Sequence, residues 1–338
     1  MNHNLNSQFF RSLLLCLGFT FSTLAFPRDG FTLNFWQPSV NQPLLLEQVE
    51  RASQLGATHF NLPVLLCQDH KDSVQIQWCY TSGPASPLGL LELGKTITSR
   101  GFTLGFLPLV IGRDGSWRGH FAPSNFETWG ASYTERLTEL VPIVRETRAQ
   151  ELIVGSEFNG LYLQENFWRQ LLTRLRVALP GVALFAVANW DQVERISFWD
   201  ACDYIALSAY FPLALRGDKN LSVQKLTQAW GPWKTRLLDL AHSHRKSLYF
   251  AEVGYRSVDN AAAAPWESAE QSPLNLALQA TLYKTLTSVW ANQAEVRRLM
   301  IWWLSPSAQP TIDTGYDILG KPAETEVSIM MHQSKSRP

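Results

Sequence analysis

Leu152-Ile153-Val154-Gly155-Ser156-Glu157-Phe158-Asn159-Gly160 begins as a short apolar run and breaks off in a polar tip. Three apolar residues in succession, two of them β-branched, suit a strand buried on both faces, as in a parallel sheet. Gly155 leaves room for a close approach to the backbone, and Glu157 follows at the strand's carboxyl end. Ser247-Leu248-Tyr249-Phe250-Ala251-Glu252-Val253-Gly254-Tyr255 repeats the plan, with a buried strand delivering one glutamate and a glycine two residues on. Either glutamate alone could be a rim residue held by an arginine. Two in matching contexts point to a pair converging on one ligand, and paired carboxylates are what glycosidic bond cleavage needs.

Outward from these stretches the chain alternates. Strands are expected at Gly30–Trp36, Thr58–Val64, Phe102–Leu109, the Glu157 stretch, Val182–Ala188, Tyr204–Ala209, the Glu252 stretch and Leu299–Leu304. Helical patterns over Leu44–Leu55, Leu90–Ser99, a long segment ending near Arg148, Phe167–Leu179, Ser222–His244 and the Leu278/Leu282/Leu286/Val289 stripe separate most of them. Gly231-Pro232 is expected to interrupt the fifth of these helices. Eight strands with helices between them predict an α/β fold of the (β/α)₈ barrel type, whose site lies at the carboxyl ends of the strands, where both glutamates fall. A doubly wound open sheet is the alternative, but no glycine-rich phosphate fingerprint follows the first strand.

Composition narrows the function classes. Basic and acidic residues balance at 29 each, which argues against nucleic acid or an anionic membrane surface as a partner. Thirteen tryptophans offer flat apolar faces with a polar edge, suited to a core or to a cleft that stacks sugar rings. Residues 1–25 read as a cleavable leader, with Arg11, an apolar Leu13–Leu24 segment and Thr23-Leu24-Ala25 as the cleavage site. An uncleaved anchor is the alternative. The rest, 26–338, is expected to be one domain with a frayed, polar tail over 327–338. An exported chain permits a Cys67–Cys79 disulfide, and Cys202 reads as an inert core thiol. His59, His70 and His120 lack metal-ligand spacing, so no metal or cofactor is expected.

Several segments together resemble glycoside hydrolase family 113: Gly155-Ser156-Glu157, Asn189-Trp190-Asp191, Asp203-Tyr204, Ala209-Tyr210-Phe211-Pro212-Leu213, Ala251-Glu252-Val253-Gly254-Tyr255-Arg256-Ser257 and Gly320-Lys321-Pro322-Ala323. Trp117-Arg118-Gly119 and Pro265-Trp266 match as well, in order over most of the chain. The resemblance implies a β-mannanase-like enzyme of a retaining (β/α)₈ clan, with the acid/base on the fourth strand, Glu157, and the nucleophile on the seventh, Glu252. Ser156 departs from the Asn-Glu pair frequent in that clan, which leaves Asn189 as a substitute contact to the sugar.

The expected protein is thus an exported monomer acting on a polysaccharide or oligosaccharide, with no stable membrane insertion. The alternatives are a hydrolase of bacterial exopolysaccharide and a non-catalytic carbohydrate-binding barrel. Within the site, Tyr210 is expected to donate to Glu252, or else to be a buried structural tyrosine. Asn189 is either a substrate donor or a strand-end cap. Strand alternation turns only one of Trp302 and Trp303 inward, with Trp303 favoured as the sugar platform. Trp117 and Arg118 either bind sugar hydroxyls or staple the rim. Trp36 reads as core. Charge on Glu252 and burial are expected to raise the proton affinity of Glu157.

Overall fold

The structure, a computed structural model, describes residues 29–34, 41–269, 271–304 and 309–337. The leader segment 1–25 and Trp36 lie outside them. The described strands are β1 (Gly30–Leu33), β2 (His59–Gln68), β3 (Gln77–Trp78), β4 (Thr103–Gly112), β5 (Glu151–Ser156), β6 (Ala183–Asn189), β7 (Ile205–Ser208), β8 (Leu248–Val253) and β9 (Val296–Leu304). All but β3 are parallel to their neighbours, and β1 pairs with both β2 and β9, so eight strands close into a barrel. Closure leaves no open sheet edge in the ring. Glu151 to Ser156 are all buried, as the apolar run predicts for a strand covered on both faces.

Outside the barrel lie α1 (Gln42–Gln54), α2 (Pro87–Ser99), α3 (Phe126–Glu146), α4 (Glu165–Ala178), α5 (Val223–His244), α6 (Leu276–Trp290) and α7 (Ala323–Gln333). The connection from β6 to β7 is made of two short 3₁₀ turns instead, Val193–Arg195 and Trp199–Ala201. Helix α5 runs unbroken through Pro232, contrary to the expected interruption. Leu226 and Trp230 before the proline, and Leu237 and Ala241 after it, are all buried. Burial on both sides offsets the cost of the missing N–H.

The described part of the tail, 327–337, is not frayed. In α7, Val327, Met330 and Met331 form one buried stripe, and the helix packs against α6. Arg337 is itself buried and pairs with Asp29 through Nη1 at 3.2 Å and Nη2 at 3.0 Å, while its Nε donates to the Ala291 carbonyl at 2.9 Å. The polar composition of 327–337 hid three apolar residues at helical spacing.

The amino-terminal end of the barrel is plugged by charge. Glu151 accepts from Arg298 Nη2 at 2.8 Å and from the Tyr249 hydroxyl at 2.7 Å, and His59 Nε2 lies 3.2 Å away. Burial alone would push the Glu151 carboxyl up; Arg298, then His59 and Tyr249, more than reverse this and hold it well below the usual carboxylate range. Burial, aided by Arg298, lowers His59 and keeps it neutral. Gly105 makes room for the cluster, since a Cβ there would lie 2.4 Å from Asn61 Oδ1.

At the opposite end, Cys67 in β2 is joined to Cys79 just beyond β3, the Cα atoms being 5.1 Å apart. The bridge closes the hairpin in which Leu66 faces Trp78. Replacing both cysteines by serine is expected to lower stability by roughly 2–3 kcal/mol, because so short a loop is constrained in the unfolded chain. Chemical denaturation measures it, and an unchanged midpoint would contradict the expectation.

Candidate active site

Both glutamates stand at the carboxyl rim. Glu157 directly follows β5, and its N–H donates to the Val187 carbonyl at 2.8 Å. Its backbone is left-handed, with φ +55°. That conformation is uncommon outside glycine and costs about 1 kcal/mol or more, so the strand end is turned sharply against local preference. Glu252 lies within β8 at an irregular register, opposite Ser208, and its carbonyl accepts from Ala209 N–H at 2.6 Å. Gly254 is required two residues on, because a Cβ there would come within 2.4 Å of the Trp302 carbonyl.

The two side chains share one cation. Arg118, in the 3₁₀ turn after β4, lies 2.9 Å from Glu157 Oε2 and 3.9 Å from Glu252 Oε1 through the same Nη2. Those lengths cap the oxygen–oxygen separation at about 7 Å, which admits the roughly 5–5.5 Å of retaining glycosidases. Trp117 Nε1 also donates to Glu157 Oε2, at 3.3 Å. Both side chains thus reach Glu157, and Arg118 spans toward Glu252 as well.

Tyr210 donates to Glu252 Oε2 at 3.1 Å, as expected from its position beyond β7. Burial, then the neighbouring Glu252 charge, pushes the phenol well above its ordinary value, so it stays a donor. Burial and the Glu157 carboxylate push Glu252 up to about 8, against the opposing pull of Arg118 and Tyr210. Glu252 is the more deeply buried of the two, and Arg118 sits closer to Glu157.

Asn189 is half-buried at the end of β6, and its Oδ1 caps the following Trp190 N–H at 3.0 Å. Trp302 is buried and Trp303 partly so, with ring centroids 4.8 Å apart and a cis peptide between them. The pair does not divide between two faces. In the β1–β9 ladder, Thr32 faces Trp302 and Leu33 faces Leu304, so Trp303 is the extra residue of a bulge and regular alternation fails there. Trp303 packs 6.2 Å from Tyr316, which in turn lies 6.2 Å from Tyr210.

Tyr316 was not singled out by the sequence. Its loop is braced by Lys321, fully buried, whose ammonium donates to Asp313 at 2.6 Å and Ser257 Oγ at 3.0 Å. Gly320-Lys321 was visible in the sequence only as part of the family resemblance. Among the described residues no group of three His, Cys, Asp or Glu side chains could hold a metal ion. Nor is any described helix long and apolar enough to cross a membrane.

The model of Glycoside Hydrolase Family 113 matches residues 36–321. The fold is similar to that of the GH113 β-mannanase of Alicyclobacillus acidocaldarius: TM-score 0.80 and 23% identity over 92% of this chain and 98% of that one. A GH113 β-1,4-mannanase solved as a complex superposes with TM-score 0.77 at 21% identity, over 90% of this chain and 98% of that one. More distantly, a GH5_18 protein of Bifidobacterium longum subsp. infantis gives 0.60 at 14% identity, over 92% and 80%. No curated protein sequence matches the chain.

Proposed function

This chain belongs to glycoside hydrolase family 113, and from that premise we propose that it is an exported, retaining, endo-acting β-glycosidase of β-mannan or a related polysaccharide. Glu252 is the nucleophile and Glu157 the acid/base. The observation that carries the reading is the pair of buried carboxylates on the tips of β5 and β8, close enough for one guanidinium to reach both.

In the first step a Glu252 oxygen attacks the anomeric carbon, the glycosidic C–O bond breaks, and Glu157 gives its proton to the leaving oxygen. In the second, water attacks the glycosyl ester while Glu157 takes a proton, and Glu252 departs as carboxylate. Two inversions restore the β configuration. Attack needs Glu252 ionised, whereas burial and the Glu157 carboxylate favour its proton. Arg118 is suited to oppose this: a short shift from Glu157 toward Glu252 moves positive charge onto the nucleophile. Tyr210 orients Glu252. The Asn189 amide group donates to a sugar hydroxyl, and Trp303, backed by Trp302, carries the sugar at the cleavage point. Trp117 steers Glu157.

Export is supported by the leader pattern of 1–25 and by the Cys67–Cys79 disulfide, and a single domain over 26–338 by the closure of β1 on β9. The protein acts as a monomer. The direct test is incubation with β-mannans, glucomannan and bacterial exopolysaccharides, sizing the products and following their anomeric form by NMR. Mixed oligosaccharides released in the β form are expected from a β-mannan. Cleavage of an exopolysaccharide alone would transfer the mechanism to that substrate. Binding without cleavage would leave a carbohydrate-binding barrel.

Arg118 makes the mechanism titratable. It opposes the forces that push Glu252 up, so its removal lets Glu252 hold its proton more tightly. Arg118→Met is therefore expected to move the acid limb of the kcat/KM pH profile, where the nucleophile ionises, upward by roughly one unit, with Arg118→Lys in between. An unmoved or downward-shifted profile would remove this role.

A further inference from the structure

A second aromatic feature stands on the rim, outside the machinery just described. Trp266, in the loop after β8, is 45% exposed. Its indole stacks on Trp190 with centroids 5.4 Å apart and planes 23° from parallel. One face is thus covered, so the exposed surface belongs to the other face and the edge. Trp190 is in turn held edge-on by Trp233 at 5.7 Å and Phe211 at 5.8 Å. Arg236 closes the back of this group over the Trp233 ring. The stack begins in the wall of the barrel and ends in water.

The backbone that presents Trp266 is fixed on both sides. The Pro265 carbonyl accepts from the Tyr316 hydroxyl at 2.6 Å, and the Glu267 carbonyl from Arg256 Nη1 at 3.1 Å. A lone exposed apolar side chain needs no special account. An indole held flat by another indole, on a loop pinned at its neighbours, is different: little side-chain freedom remains to be lost when something stacks on it. Its location is informative as well. The tyrosine that holds Pro265 packs against Tyr210, which donates to Glu252. Trp266 is therefore on the same rim as the carboxylates but separated from them by Tyr210 and Tyr316.

We propose that the outer face of Trp266, backed by Trp190, is a platform for a sugar ring of the β-mannan chain beyond the residue at the cleavage point, so that it sets preference for longer chains. This rests on the reading of the protein as a β-mannan-cleaving enzyme. A pyranose has an apolar face of C–H groups that fits an indole plane, while its hydroxyls point sideways into water. Such a contact is made only by chains long enough to reach it. The platform thus acts on chain-length preference and on where a chain is cut, with no part in the bond-breaking step.

The test compares kcat/KM for manno-oligosaccharides of three and six residues, in the full protein and in Trp266→Ala. The preference for the longer substrate is expected to fall about tenfold, carried by KM, with a shifted distribution of products. Trp266→Phe, which keeps a smaller flat face, should retain part of the preference, and it serves as the variant to read if the alanine protein fails to fold. Equal losses on both lengths, or an unchanged preference in both variants, would overturn the platform and leave the glycosidase reading standing. Failure of the unsubstituted protein to cleave any β-mannan would overturn both.

Discussion

Glu252→Ala is expected to abolish turnover of every substrate, because no glycosyl ester can form. Glu157→Ala is expected to behave differently. It should fail on polysaccharide yet keep activity on aryl glycosides whose leaving group departs without protonation, with losses of roughly 10²–10⁴ on poor leaving groups. Azide separates the two roles. In Glu157→Ala it should attack the ester from the vacated side and give a β-glycosyl azide, whereas in Glu252→Ala it should replace the nucleophile and give the α product. An α-azide from Glu157→Ala would reverse the assignment.

Glu252 also carries a stability signature. Its folded value of about 8 stands above the ordinary 4.5, so the stabilisation its proton provides is complete below 4.5 and disappears as pH rises through 8. Glu252→Gln has nothing to lose. It should gain on the unsubstituted protein over that window, by about a few kcal/mol at the upper end. Parallel pH–stability curves would exclude the shift.

The second large effect is expected at the other end of the barrel. Glu151→Ala leaves Arg298 buried without its carboxylate partner, and breaking a buried pair of this kind costs on the order of 3–5 kcal/mol. Removing both charges, as Glu151→Met with Arg298→Met, should recover much of the loss, since apolar neighbours do not strand a charge. Urea unfolding of the two variants gives the comparison. If the double variant is the less stable of the two, the plug stabilises by more than mutual neutralisation. Because Glu151 is depressed, its contribution is present above the unfolded value and lost as pH falls toward the folded one.

The barrel was legible because its strands are short apolar runs cut off by polar tips, and the two glutamates sit on such tips. Tyr210 was legible for the same reason. What escaped reading depends on contacts between distant segments. Nothing in a glutamate announces a left-handed backbone, so the sharp turn at Glu157 left no mark in the sequence. Arg118 and Trp117 could be placed after a strand but not aimed, since the packing of their loop decides whether they face solvent or carboxylates. The ordering of the two glutamates by burial is likewise a tertiary matter. Trp302 and Trp303 defeated a rule of regular strands at an irregular one. The last helix was overlooked because polar residues outnumber its three anchors, although those anchors fall at the spacing of a single helical face.

The Asp29–Arg337 pair sets an order of events during synthesis. The partners are 308 positions apart, so at about 5–20 residues per second the first waits some tens of seconds for the second. Through that interval β1 can pair with β2 but has no β9 to meet, and the half-built wall offers a bare margin to any passing strand. Closure therefore comes in one late step, not by gradual accretion. Until β9 is in place a nearly finished sheet stays adhesive and has to be kept from other strands.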